Sequence, residues 1–258
     1  MRMTHVLVAT PSYQHMVSGA YLHSLMQYSH APEMPKFSYD IVSGDSLVTR
    51  ARNMLFTRYV QAREVSGYTH IFWQDDDIAI EGPGLGHIVS LDLDVVAIAY
   101  PLKTDERIWG IPCVVLGVYE QVDRYLYKAK FAGTGALLMS NRAVSAVVDH
   151  CEAHGLFYFT EEGGDKIYDV FQVGARDGMY YSEDWHLCRL LRELGFEIHV
   201  DSSSSCAHFA GVRGHVRPAL EIDPRAIRRT DLTPLPVEAR DTYWTPNDVG
   251  AAYADQPY

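Results

Sequence analysis

The 258-residue chain predicts an α/β fold in which a mainly parallel central sheet is flanked by helices. Three observations predict it. Apolar runs alternate with helix-patterned segments in the order β-α-β-α-β-α-β over the first hundred residues, which argues for a sheet covered on both faces. Runs such as Val6-Leu7-Val8-Ala9 are apolar throughout, as expected of strands buried on both sides. One of them leads straight into an acidic loop, and ligands of such sheets bind beyond the carboxyl ends of the strands.

The elements follow in order. Val6–Ala9 is a first strand closed by Thr10-Pro11, and Ser18 to Tyr28 is helical in pattern. Pro32 and Pro35 mark a loop before a short strand at Tyr39–Val42. A long helix from about Val48 to Val65 covers one face with Ala51, Met54, Leu55, Tyr59, Ala62 and Val65, and Gly67 stops it. Tyr68–Trp73 is a β-branched and aromatic strand that runs into Gln74-Asp75-Asp76-Asp77. A Gly-rich turn (Gly82, Gly84, Gly86) and a short helix precede a buried strand from Asp94 to Ala99. Further strands are expected near Cys113–Tyr119, Ala136–Met139 and Phe196–Val200, with helices at Asn141–Ala153 and Ser182–Leu194. Half of the 12 prolines lie in Pro218–Pro257 without sustained periodicity, so residues 1–211 are read as one domain and 212–258 as a C-terminal extension.

Composition narrows the function classes. At 47% hydrophobic and 21% charged residues, the chain is an ordinary globular protein rather than a disordered, collagenous or coiled-coil one. Twenty-two basic against 33 acidic side chains leave a net charge of −11, so general attraction to polyphosphate or anionic membrane is not expected. Cys113, Cys151, Cys188 and Cys206 are scattered without a C-x-x-C, which suits reduced core thiols. No apolar stretch approaches the ~18 residues of a membrane span, and His5–Ala9 is too short for a signal sequence, so a cytoplasmic protein is expected.

Several segments carry chemistry. Three adjacent carboxylates at a strand end raise one another's pKa unless a cation balances them. Asp75 and Asp77, two apart, can point the same way, and hard carboxylate oxygens favour Mg²⁺ or Mn²⁺; a solvated acidic turn is the plain alternative. Arg52 and Asn53 offer a forked cation and an amide near a helix start, suited to a phosphate or base edge or simply to a surface salt bridge. Gly133 and Gly135 around Thr134 permit close backbone approach to a ligand, or only a tight strand connection. Ser182 is a good N-cap that places Glu183 and Asp184 in the first helical turn, where the dipole favours acids. A carboxylate on so rigid a mount can also serve as a general base. His208 follows the last strand, where an imidazole can complete a site begun by Asp75 and Asp77. Glu161-Glu162-Gly163-Gly164-Asp165 looks like a loop able to close over substrate, and Trp109, Tyr180, Tyr181 and Trp185 are aromatic contacts to consider.

Taken together, these segments resemble GT-A fold glycosyltransferases in order along the chain. Ile71–Ile78 resembles the hydrophobic strand and D-x-D motif, and Ala9-Thr10-Pro11-Ser12-Tyr13 the loop lining the nucleoside pocket. Ser46–Asn53 resembles the R-A-R-N segment of family-2-like and phage-type members, and Gly133-Thr134-Gly135 the glycine turn beside the sugar. Ser182-Glu183-Asp184 and His208-Phe209-Ala210-Gly211 resemble the E-D helix start and the H-x-x-G segment.

The resemblance implies a Rossmann-like nucleotide-diphospho-sugar fold and a metal-dependent transfer of sugar, from a UDP-sugar by family preference, to an acceptor hydroxyl (EC 2.4). It implies Mn²⁺ or Mg²⁺ held by Asp75, Asp77 and His208. Donor contacts would come from Thr10, Pro11, Tyr13, Arg50, Arg52, Asn53, Asp75, Asp76, Gly133, Thr134 and Gly135. Asp184 would be the base, with Glu183 beside it. Two other classes stay open: a nucleotidyltransferase, against which the Ala9–Tyr13 loop lacks a Gly-rich basic phosphate loop, and a non-catalytic nucleotide-sugar-binding module. The acceptor is open as well. Hydroxymethylated pyrimidines of DNA are one alternative, for which Arg213, Arg217, Arg225, Arg228 and Arg229 would form a phosphate-contacting strip.

Overall fold

The computed structural model describes residues 3–30, 34–82, 84–103, 115–161, 164–210 and 213–217. All of them belong to one compact unit, Met1–Arg228; the second unit, Arg229–Tyr258, lies outside the described residues. So do Trp109, Cys113, Glu162, Gly163, Gly211, Arg225, Arg228 and Arg229, and with them much of the expected lid, the end of the H-x-x-G segment, and most of the extension.

The described residues form His5–Ser12 (β1), Gly19–His30 (α1), Lys36–Ser43 (β2), Val48–Ser66 (α2), His70–Gln74 (β3), Ile78–Glu81 (β4), Gly84–Ser90 (α3) and Val95–Ile98 (β5). Val115–Asp123 (β6), Leu126–Ala132 (β7), Ala136–Ser140 (β8), Asn141–His154 (α4), Phe157–Phe159 (β9) and Lys166–Tyr168 (β10) follow. The remainder is Gly174–Arg176 (β11), Met179–Tyr181 (β12), Glu183–Glu193 (α5), Ile198–Asp201 (β13), Ser205–Ala210 (β14) and Arg213–Arg217 (β15).

Eight strands form the central sheet in the order β2-β1-β3-β8-β5-β13-β7-β6. The β1–β2, β1–β3 and β5–β13 pairs are parallel. The other four neighbours are antiparallel, because β8 and β7 run against the rest. The sheet is therefore mixed in its pairing, although six of its eight strands share a direction. A strand buried on both faces carries the same apolar run whichever way it points, so direction is not written in periodicity.

Both faces are covered, as the alternation of apolar residues requires. Leu7, Ala9, Ile71, Trp73, Leu137 and Met139 pack with α2, α4 and α5, whereas Val6, Val8, Phe72, Ala136 and Leu138 pack with Tyr28 of α1 and with Leu85 and Ile88 of α3. Gly67 ends α2 in the left-handed region (φ 71°), its N–H bonded to the Arg63 carbonyl. Ser182 caps α5, accepting from the Trp185 N–H.

The topology gathers particular loops at one end of the sheet. The carboxyl ends of β1, β3 and β5 lie there, and antiparallel β8 brings its amino end and the Gly133–Gly135 turn to the same edge. A smaller sheet, β15-β14-β4, adds His208 opposite Ile78, immediately after the acidic triplet.

Candidate active site

Arg52 is the hub of the site. It lies one turn into α2 and is 3% exposed. One Nη2 donates to both oxygens of Asp75 (2.8 and 3.1 Å), and Nη1 donates to Glu183 Oε1 (2.8 Å) and Asp184 Oδ1 (3.0 Å). A single guanidinium therefore ties the end of β3 to the start of α5. Burial works against its charge, but Asp75, Asp184 and Glu183 outweigh that and raise its pKa further. Its Nε is buried with no hydrogen-bond partner among the described residues, and the Phe171 ring centroid lies 5.8 Å from its central carbon.

Asp184 also accepts a hydrogen bond from the Thr134 hydroxyl, which joins the glycine turn to α5. Burial raises its pKa to about 6; Arg52 and the Thr134 bond oppose the rise, while Glu183 and Asp75 add to it. Gly135 is held on both sides: its carbonyl accepts from the Asp75 N–H (3.1 Å), and its N–H donates to the Tyr100 hydroxyl (3.2 Å). A Cβ at Gly135 would sit 2.5 Å from Ile78 Cδ1 and 2.9 Å from both Asp75 Oδ2 and the Tyr100 hydroxyl, so any larger residue there must displace these side-chain ends.

Asp77 faces a different set of partners. Lys103 Nζ donates to its Oδ2, and His208 Nε2 lies 3.4 Å from its Oδ1. Burial acts to raise the Asp77 pKa, but the bonds from His208 and Lys103 prevail and lower it. The His208 ring is set by its Nδ1 bond to the Pro101 carbonyl (2.9 Å) and by edge-on contact with Tyr100 (5.4 Å). Backbone pairing fixes the same approach, since the Phe209 N–H donates to the Asp77 carbonyl (2.9 Å). Asp76 is raised by burial, against a bond from Ser12, with Asp77 and Asp75 adding to the rise.

Five sequence-distant segments thus meet: Arg52, Asp75–Asp77, Gly133–Gly135, Glu183-Asp184 and His208. The remaining expected site residues lie elsewhere or face inward. Thr10 is buried with its hydroxyl 2.6 Å from that of Tyr21, while Tyr13 is exposed and Pro11 partly so. Arg50 points away to a bidentate pair with Asp45 (2.6 and 2.9 Å). Asn53 is buried, its oxygen accepting from the Val170 and Phe171 N–H groups (2.9 and 2.8 Å) and its nitrogen donating to Asp169 (2.9 Å). Trp185 stacks on Phe131, Tyr181 is buried, and Tyr180 is exposed.

Asp75, Asp77 and His208 do not form a ready cage: among the described residues no three His, Cys, Asp or Glu side chains are grouped to hold a metal ion. Arg52 turns Asp75 toward α5, and only Asp77 and His208 converge. Sequence reasoning missed Tyr100 and Lys103, although both follow a buried strand in the position where ligand loops lie. It also missed Asp169 and Phe171, which no local pattern marks.

No protein-family model matches the chain, and no curated protein matches it. Solved structures do. The protein A197 from STIV is 14% identical over 90% of this chain and 100% of its own, with a TM-score of 0.55. At that identity the likeness bears on the fold, which both chains share. A UDP-glucose pyrophosphorylase complexed with UDP-glucose aligns at 8% identity over 87% of this chain and 96% of its own (TM-score 0.43). A glycosyltransferase involved in glycosylation of the major capsid of PBCV-1 aligns at 11% identity over 58% and 69% (TM-score 0.32). Among the described residues no helix is long and apolar enough to cross a membrane.

Proposed function

We propose that the chain is a glycosyltransferase that moves a sugar from a nucleoside-diphosphate sugar, a UDP-sugar by preference, to an acceptor hydroxyl with the help of Mn²⁺ or Mg²⁺. The observation that carries this reading is the convergence of acids from the end of β3 and the start of α5 on one buried arginine beside a glycine turn.

The donor set suits a hard divalent ion in part. Asp77 offers a carboxylate, and the His208 ring, set by its Nδ1 contact with the Pro101 carbonyl, brings Nε2 to 3.4 Å from it. Asp75 would join once its oxygens are shared between Arg52 and the ion. Bound there, the ion would neutralise the donor's diphosphate and stabilise it as a leaving group.

Asp184 has the attributes of a base. It is mounted on a capped helix, held by Arg52 and Thr134, and its pKa of about 6 lies close to neutrality. The acceptor's O–H proton would pass to Asp184 as its oxygen bonds to the anomeric carbon. The bond from that carbon to the diphosphate oxygen breaks, and the nucleoside diphosphate departs with the electron pair. Asn53 acts behind this, fixing the 169–171 segment against α2, rather than facing the donor.

A thermal-shift panel of UDP, GDP, CDP, ADP and TDP with and without Mn²⁺ tests the reading, since a ligand of the native state raises its melting temperature. A metal-dependent rise with one nucleotide, then transfer from the matching sugar nucleotide to a glycan or to hydroxymethylated duplex DNA, is the expected result. Folded protein that responds to none of them refutes it.

A further inference from the structure

A cavity of about 220 Å³ lies among α4, the segment from Asp169 to Arg176, and α5, and shares no lining residue with the acidic cleft. Its volume falls below the roughly 300–1,000 Å³ of pockets for drug-sized ligands, so its occupant is small. His186 of α5 lines it and is 7% exposed, yet its imidazole makes no hydrogen bond to any described residue. Arg189, one turn further along α5, lines it too. Its Nε is paired with Glu193 (2.7 Å), while its Nη1 is buried without a partner among the described residues. Arg176 of β11 donates from Nη2 to Gln172 (2.9 Å) and is otherwise exposed. The acceptors of the wall are mostly taken. Asp169 receives bonds from Asn53 and Gln172 on its two oxygens, and Glu193 Oε1 receives the one from Arg189. What the wall chiefly leaves unused is donor capacity on two guanidinium groups and an imidazole.

We propose that this cavity binds the phosphate group of a small ligand through Arg176, Arg189 and His186. The site stands apart from the acidic cleft, so it does not rest on the sugar-transfer reading. A guanidinium bonds an oxyanion through a planar fork, and a phosphate group offers three strong acceptor oxygens. Donors from β11 and from successive turns of α5 can meet such a tetrahedral anion from several sides, whereas a carboxylate presents two coplanar oxygens. The imidazole adds its charge by taking up a proton. Burial, with Arg176 and Arg189 beside it, pushes the His186 pKa down to about 4; His150 of α4 adds to the fall, and Glu193 opposes it. His154 and Asp169 are the other titratable groups of the wall. An anion held between the imidazole and the two guanidinium groups offsets their repulsion, so anion binding and His186 protonation favour each other.

Sulfate is the first probe, because it stays a dianion from pH 6 to pH 8 and any pH effect then belongs to the protein. Isothermal titration calorimetry of the full chain, in buffer containing a chelator, should show saturable binding at one site. With the His186 pKa returned to its ordinary 6.5 in the complex, sulfate should bind about four-fold tighter at pH 6 than at pH 8. His186→Gln should lose that pH dependence. Arg176→Gln changes an exposed side chain and should weaken binding roughly ten-fold at both pH values. No saturable binding by folded wild type, an Arg176→Gln variant that binds as wild type does, or a His186→Gln variant that keeps the pH dependence overturns the site. At pH 8 inorganic phosphate and glucose 6-phosphate are both dianions, and the tighter of the two identifies the source as free phosphate or a phosphate ester. Malonate bound as tightly as either overturns the assignment to phosphate.

Discussion

Arg52→Met asks whether the hub holds the cleft together. The substitution keeps an apolar stem of similar length in a site that is 3% exposed, but removes the cation shared by Asp75, Glu183 and Asp184. Breaking a buried ion pair from one side costs about 3–5 kcal/mol, because the remaining charge is left uncompensated. These carboxylates keep 25%, 17% and 19% side-chain exposure, so partial hydration favours the lower end, about 3 kcal/mol. In a protein of this size that corresponds to a fall in Tm of roughly 6–12 °C at pH 8. The sign of the pH dependence is fixed. Without Arg52 the Asp184 carboxyl, which burial already holds at about 6, loses the charge that opposes this rise, so its folded-state pKa climbs further and the native state keeps a proton that the unfolded state lacks. The resulting stability is present at low pH and lost as pH rises, so the deficit of the variant should shrink between pH 8 and pH 5. Thermal melts of wild type and variant at both pH values measure this. A variant that melts with wild type at pH 8, or whose deficit is the same at both pH values, refutes the argument that Arg52 compensates these acids.

Three further substitutions test neighbouring parts of the site. Asp184→Asn should abolish sugar transfer while nucleotide binding persists. Because burial raises the Asp184 pKa to about 6, the neutral amide should also be more stable than wild type by up to about 3 kcal/mol at pH 8, a gain that falls to almost nothing at about pH 3, read from urea midpoints at both pH values. Gly135→Ala forces a methyl against Ile78, Asp75 and Tyr100, and should cost about 1–3 kcal/mol in a urea melt while weakening metal-linked nucleotide binding. Asn53→Ala strands the Val170 and Phe171 N–H groups, each costing about 1–3 kcal/mol, so a large loss of stability measured by denaturation is expected.

Much of this architecture was legible because the burial pattern is local. The long helix over Val48–Ser66, the strands at His70–Gln74 and Ala136–Ser140, the helix α4 and the Ser182-capped helix α5 all match segments that the sequence pattern marks out. The sheet's pairing was not legible. Leu126–Ala132 turns back on Val115–Asp123 as a hairpin, and Ala136–Ser140 enters antiparallel between β3 and β5, choices made by tertiary packing. At the site, acids at a strand end and a helix start could be picked out as residue types in telling places. Their common partner could not, because Arg52 reaches Glu183 across 131 residues. Asn53 shows the opposite limit: an amide beside Arg52 reads like a ligand contact, yet its bonds go to the 169–171 backbone and Asp169. Lys103 carries no motif at all and becomes visible only through its contact with Asp77.

The charge of the cleft also dictates the order in which it fills. Among the described residues, five acidic side chains (Asp75, Asp76, Asp77, Glu183 and Asp184) share the cleft with Arg52 and Lys103, so acids outnumber these cations by three. A nucleoside diphosphate brings more negative charge into the same space, and in a partly buried site such repulsion is weakly screened. Arg52 cannot answer it, because its Nη donors are already committed to carboxylates and its Nε is buried. A divalent ion bound near the β3 end, as the proposed function requires, would offset most of that excess. Metal should therefore precede nucleotide: nucleotide without Mn²⁺ should leave the Tm unchanged, while Mn²⁺ alone should raise it. A strong shift by nucleotide in the presence of a chelator would place the diphosphate away from these acids and break the link between the acidic cleft and the donor site.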